Sequence, residues 1–262
     1  MSEKAPNQNN ENRFRHMPVT EPNAKERLKI FREGFKEFQK EYPEVLGAML
    51  YGSMAKGKAD GDSDIDVSIF VDAEALKDEN LPKVESKIRY SPDYRRGLVY
   101  RNKFLKYLNI SNYEILQYYA HLDVKLISEK IIDETINKFL LKKDDYKKWK
   151  NKFNIEKYAN LNEEKKDTLM MKHEDNFCDP RAYSLFFASI GRGIEKYRHM
   201  LLKKLYDLPD RKDAENMWES IYYSVLHYEQ GREETIKLNI PKTLNEAIRV
   251  FHPEFYKKIS KS

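Results

Sequence analysis

The chain has 262 residues, 40 % of them apolar and 13 % aromatic, enough for one large domain or two modest ones and too rich in Tyr for a disordered chain. With 48 Lys and Arg against 43 Asp and Glu, the net charge of +5 falls far short of a protein that coats nucleic acid by bulk electrostatics. A single cysteine, Cys178, excludes an internal disulfide and a cysteine-rich zinc site, and makes a reducing cytoplasm the expected compartment.

Residues 1–22 are polar and Asn-rich, lack the apolar stretch of a signal peptide, and read as a disordered or loosely docked arm. No run reaches the length of a membrane span, so no membrane partner is expected. Leu28, Phe31, Phe35, Phe38 and Tyr42 recur at steps of three and four, the signature of an amphipathic helix, and Pro43 ends it. The apolar run VLGAMLY (45–51) predicts a buried strand, stopped by Gly52-Ser53. An Asp-Gly turn signal in 58–63 leads into DIDVSIFV (64–71), a strand by its alternation. Ile65, Val67, Ile69 and Val71 point one way; Asp64, Asp66, Ser68 and Phe70 point the other.

Residues 90–97 read as a loop, 98–108 as a helix, and 112–120 fit helix or strand. HLDVKLIS (121–128) predicts a further strand with Asp123, Lys125 and Ile127 on one face. Beyond residue 129 the pattern turns helical. Residues 130–175 are Lys-rich, with Trp149 and Phe153 as apolar anchors. Tyr183, Phe187, Ile190, Ile194, Tyr197 and Leu201 form one helical stripe, and Met217, Ile221, Val225 and Tyr228 another. A last helix spans 242–251 after Pro241. The expected architecture is α+β: a mixed sheet flanked by helices over 23–135, then an all-helical domain over 136–262.

Asp64 and Asp66 pose a chemical problem. Two residues apart on a strand, they project to one side with Cα atoms roughly 6.6 Å apart. Two like charges side by side in a sheet interior are costly unless a cation joins them. A pair of divalent ions about 3.5–4 Å apart, held with a polyphosphate, removes that repulsion. Hard Mg²⁺ suits the carboxylate, water and phosphate oxygens on offer. Gly52 lets the backbone pass close to a ligand, while Ser53 offers a hydroxyl and an N–H. A helix beginning at 53–57 would aim its first amides at a phosphate, with Lys56 or Lys58 adding a cation.

The stretch GSMAKGKADGDSDIDVSI (52–69) resembles the signature of the polymerase-beta-like nucleotidyltransferase superfamily: Gly-Ser, a basic residue and Gly a few positions on, then Ser-Asp-hydrophobic-Asp-hydrophobic. The resemblance implies transfer of a nucleoside monophosphate from a nucleoside triphosphate, ATP first among donors, with two Mg²⁺ ions and release of pyrophosphate. It implies a catalytic domain over 23–135 and an acceptor-binding helical domain over 136–262. It also implies that Gly52, Ser53, Lys56 and Ser63 bind the nucleotide and that Asp64 and Asp66 hold metal. A third carboxylate on a later strand completes the family's set, and Asp123 is chosen for it, with Glu114 as rival.

The acceptor is expected to be a small hydroxylated molecule, such as an aminoglycoside, ahead of tRNA or a partner protein. Glu163, Glu164, Glu174, Asp175 and Asp179 can supply an acidic cleft for a cationic molecule; the Lys-rich 138–152 segment would instead line a nucleic-acid groove. A nucleotide-binding protein without turnover is a third reading, opposed by the intact Asp-x-Asp. Taken singly, Gly52-Ser53 is an ordinary turn and the aspartates a solvated strand face; only the combined spacing favours a site. His173, Glu174 and Asp175 read as a surface loop. Arg192 and His199 loosely resemble a ribonuclease motif but lack its polar residue, since Gly193 follows the Arg, and read as structural.

Overall fold

The computed structural model describes residues 24–56, 65–75, 100, 103–104, 120–153, 155–186, 193–229 and 239–261. The arm over 1–22 and the segments 90–97 and 112–119 lie outside the described residues, as does most of 98–108, where Tyr100, Lys103 and Phe104 are helical.

Helix α1 (Ala24–Glu41) leads into β1 (Val45–Tyr51), which runs straight into a short helical turn, α2 (Gly52–Ala55). Strands β2 (Ile65–Asp72) and β3 (Ala120–Ile127) complete a three-stranded sheet in the order β1-β2-β3. The β1–β2 pair is antiparallel and the β2–β3 pair parallel, so the sheet is mixed as expected.

Alternation along β2 is present, and its polar-bearing face is covered too. Phe31, Phe35 and Phe38 of α1 pack with Val67, Ile69 and Val71 of β2 and with Ala48 and Leu50 of β1. Phe104 joins them, with its ring edge-on to Phe31 at 5.4 Å and to Phe38 at 5.0 Å. The opposite face presents Phe70 and Ile127 to the helical half of the chain. A bulge between Val45 and Gly47 breaks the period of β1 and brings Leu46 into that second core.

The helical half comprises α3 (Glu129–Leu141), α4 (Lys143–Lys152), α5 (Ile155–Ala159), α6 (Glu163–Phe177), α7 (Pro180–Ser184), α8 (Ile194–Tyr206), α9 (Arg211–Glu229), α10 (Leu244–Phe251) and α11 (Pro253–Ile259). Ser128 caps α3, accepting from the Ile131 amide, and marks the change of period from two to 3.6. The stripe from Tyr183 to Leu201 is not one helix: α7 ends at Ser184 and α8 starts at Ile194, with 187–192 outside the described residues. Trp149 does anchor its region, stacked on Phe153 at 4.6 Å and against His173 at 4.5 Å.

The N-terminus of α8 fastens the two halves together. The Gly193 amide donates to the Leu46 carbonyl at 3.0 Å. A Cβ at Gly193 would sit 2.8 Å from Leu46 Cδ2 and 3.0 Å from its Cα, so no side chain fits. The Tyr197 hydroxyl donates to Asp72 Oδ1 at 2.8 Å, and Lys196 reaches Asp72 Oδ2 at 3.4 Å. These contacts grip the start of β1 and the end of β2. The other end of the sheet, where β1 finishes and β2 begins, is the end that carries Gly52 and Asp66.

Candidate active site

Gly52 adopts φ +68, a left-handed conformation that glycine alone takes without strain. It sits where β1 turns into α2, and Tyr51 just before it pairs with Asp66 across the sheet. A Cβ added to Gly52 would lie 1.8 Å from Asp66 Oδ2 and 2.8 Å from its Cγ. The carboxylate of Asp66 therefore rests directly over the glycine backbone. Two independent constraints, dihedral and contact, demand glycine here.

The turn that follows is helical over 52–55, close to the expected 53–57 start, and the Lys56 amide bonds back to the Gly52 and Ser53 carbonyls, each at 3.2 Å. Ala55 is buried and pins the turn to the core under the sheet. Ser53 is half-buried and Lys56 exposed. Lys58, Ser63 and Asp64 lie outside the described residues, as does Glu114.

Backbone register fixes which face of the sheet Asp123 occupies. Its backbone pairs with Ser68, and His121 pairs with Asp66, so Asp123 occupies the same sheet face as Asp66, one diagonal step along. This face is the one turned toward the helical half. Among the described residues no group of three or more His, Cys, Asp or Glu forms a ready metal cage. The donor chemistry nevertheless fits a hard divalent ion: Asp66 supplies carboxylate oxygens, held against a backbone that leaves no room for a Cβ.

Across the seam, His173, Glu174 and Asp175 are not a loop. They belong to α6, and His173 and Glu174 are buried while Asp175 is exposed. An Asn162 cap starts that helix, accepting from the Lys165 amide, and carries it past the residues whose adjacency suggested a turn. His173 Nε2 lies 3.1 Å from the Ser220 carbonyl, and burial pushes its pKa down to about 4. Glu174 Oε2 accepts from the hydroxyls of Tyr183 at 3.0 Å and Tyr228 at 3.2 Å. Burial nonetheless raises its carboxyl to about 7, with Asp175 adding to the rise and Lys125 of β3 opposing it weakly. Asp179 caps α7 and forks onto Arg181 at 2.7 and 3.0 Å, and despite its burial the guanidinium keeps its carboxyl below the usual range. His199 stacks on His252 at 3.8 Å and lies 2.7 Å from the Phe251 carbonyl, a packing role as expected; Arg192 lies outside the described residues.

His173 and Glu174 have opposite effects on stability over the same pH range. A base whose folded pKa is depressed from 6.5 to about 4 makes stability rise with pH between those values. A carboxyl raised from 4.5 to about 7 makes it fall with pH across its own window. The two slopes nearly cancel between pH 4.5 and 6.5. In Glu174→Gln only the His173 slope remains, and urea unfolding is expected to show stability climbing by about 2 kcal/mol over that range. A wild-type slope equal to the variant's would refute the assignment.

Sequence pattern placed Lys125 on the Asp123 face of its strand and Glu174 among the acidic residues of the helical half; that the two act on each other depends on which helix covers which strand. Comparison with curated proteins and with solved structures gave no match. The family described as Polymerase beta, Nucleotidyltransferase matches residues 33–132, a span that takes in the second half of α1, all three strands, α2 and the start of α3. No helix among the described residues is long and apolar enough to cross a membrane. With a glycine turn seated on a strand carboxylate inside that span, residues 33–132 are a nucleotidyltransferase domain of the polymerase-beta superfamily, joined to a mostly helical carboxy-terminal region.

Proposed function

We propose that the chain is a cytoplasmic, magnesium-dependent nucleotidyltransferase that moves a nucleoside monophosphate, from ATP first among donors, to a hydroxyl of a small acceptor. The contact between Asp66 and Gly52 is the observation that carries this reading, since it joins the phosphate-binding turn and the metal-binding strand into one site. Gly52, Ser53, Lys56 and Ser63 bind the triphosphate. Asp64, Asp66 and Asp123 would hold two Mg²⁺ ions, which when bound supply charge neutralisation on the phosphates. Asp123 orients the acceptor hydroxyl and takes its proton. The acceptor oxygen forms its bond to the α-phosphorus as the bond from that phosphorus to the β-phosphate bridging oxygen breaks, and pyrophosphate leaves in line.

The catalytic domain covers 23–135, and 136–262 is the acceptor domain, with the cleft between them as the acceptor site. A small acceptor is favoured over tRNA by the fate of the lysines on α4. Lys143 binds Asp213 of α9 at 2.5 Å, Lys147 lies 3.5 Å from the same carboxylate, and Lys150 pairs with Glu219. Cations held by neighbouring carboxylates make a poor phosphate groove.

Labelled ATP, GTP, CTP and UTP, incubated with Mg²⁺ and a panel of aminoglycosides, tRNA and proteins, report donor and acceptor together. Label on none of them, with Mg²⁺-nucleotide binding intact, would leave a binding protein in place of a transferase. Asp123→Asn is expected to slow transfer by about 10²–10⁴-fold while nucleotide binding persists, with Glu114→Gln close to wild type. The reverse pattern would move the third carboxylate to Glu114.

A further inference from the structure

Helix α11 is held to the helical half by its rim. Among the described residues of α11 none is fully buried, and Phe255, Tyr256 and Ile259 pack only partly against the core. Phe255 meets the Tyr206 ring of α8 edge to face, with centroids 5.3 Å apart. The joint behind α11 is a single residue. The His252 amide closes α10 by donating to the Ile248 carbonyl at 2.8 Å. The His252 carbonyl starts α11, accepting from the amides of Phe255 at 3.1 Å and Tyr256 at 3.0 Å. Leu244, Ala247 and Ile248 keep α10 buried in the core, so α11 can come away without it.

At this joint the His252 ring lies flat on that of His199 from α8, with centroids 3.8 Å apart and planes within 1°. A carbonyl only accepts, so His199 Nε2 carries its hydrogen where it meets the Phe251 carbonyl at 2.7 Å. A further proton on His199 must then go to Nδ1. Protons on both rings would set two like charges face to face at the stacking distance. The surroundings add to that repulsion. Burial first, then His199, Lys258 of α11 and Lys203 of α8, hold His252 below the usual imidazole range. Arg198 of α8 adds a cation 5.8 Å from the Phe251 ring. The opposing carboxylate, Glu254 of α11, is already paired with Lys257 at 2.9 Å.

We propose that the stacked His199–His252 pair is a pH-operated latch, holding α11 on α8 near neutral pH and freeing it under mildly acidic conditions. A ring that leaves the stack regains water and titrates near its ordinary value of about 6.5. The docked ring resists the proton, so the undocked form binds more protons. Docking is therefore at full strength above pH about 6.5 and weakens as the pH falls through that value. Release uncovers Tyr206 on α8, which Phe255 covers in the latched form. The device stands apart from the sheet end that carries Gly52 and Asp66, and it does not depend on the transferase reading.

The test is amide hydrogen exchange of the full chain, with protection corrected for the intrinsic rate at each pH. Between pH 7.5 and pH 5.5 the protection of the α11 amides is expected to fall by about three- to tenfold, while the α9 amides keep theirs. His252→Phe preserves an aromatic stack without a titrating group and makes α11 protection independent of pH. Unchanged α9 protection shows that this variant is folded. A second variant reads the pair directly. His199→Gln keeps a donor for the Phe251 carbonyl and removes the partner ring, so the His252 imidazole, followed by proton NMR, is expected to titrate at higher pH than in the wild type. Protection of α11 that does not change with pH in the wild type overturns the latch. So does a wild-type pH dependence in His252→Phe, or a His252 titration that His199→Gln leaves unmoved.

Discussion

Asp66→Asn is expected to abolish nucleotidyl transfer, with a loss of about 10³-fold or more, while the thermal transition stays within a few degrees of wild type. The carboxylate sits at the second position of β2, half-buried, with its Oδ2 against the Gly52 backbone. Asn keeps the shape and removes the charge, so any loss reports electrostatics rather than packing. The equivalent change at Asp64 is expected to behave alike. Label transfer at a wild-type rate in Asp66→Asn would end the assignment of the strand face as the reacting centre.

Gly52→Ala should be the second most damaging single substitution, and for a different reason. The backbone at φ +68 costs an L-residue about 1–2 kcal/mol. A Cβ placed 1.8 Å from Asp66 Oδ2 also cannot be accommodated unless the carboxylate moves by more than an ångström. A displacement of that size at a reacting centre costs about 10²-fold in rate. Both effects are expected together: a lowered urea midpoint, and a fall in transfer larger than the stability change explains. Gly52→Ala with wild-type stability and turnover would mean that the turn does not touch Asp66.

Comparing these two positions shows what could be read without coordinates. Asp66 was legible because strand alternation is local: Val67 and Ile69 identify the buried face, and the aspartate follows from the period of two. Gly52 was legible only in part. A Gly-Ser pair ending an apolar run signals a turn, but the approach of Asp66 depends on the antiparallel register of β1 and β2, which pairs Tyr51 with Asp66. Asp123 needed still more, since the parallel alignment of β3 crosses a long intervening segment and no local pattern encodes it.

The helical half was less transparent. His173 and Glu174, adjacent and polar, looked like a loop because periodicity assigns such residues to solvent. The structure buries them because α6 runs between α9 and the aromatic rings of α4, which accept an imidazole as readily as a hydrocarbon. The lysines of α4 show the converse. Their density offered a phosphate groove only as the second reading, and Asp213 and Glu219 on α9 hold three of them; despite its burial Asp213 keeps a carboxyl depressed by Lys143.

Sequence alone determined the α+β order of elements, the amphipathic α1, the place of Asp66 on β2 and the family its motif announces, because these reside in spacings of two to four residues. Tertiary structure alone decided that Gly52 seats Asp66, that α8 fastens the sheet at its far end through Gly193 and Tyr197, and that Glu174 is buried beneath the hydroxyls of Tyr183 and Tyr228. The physical reason is range. Backbone dihedrals and side-chain periods act between near neighbours in the chain, whereas desolvation and steric contact act between whatever surfaces the fold presses together.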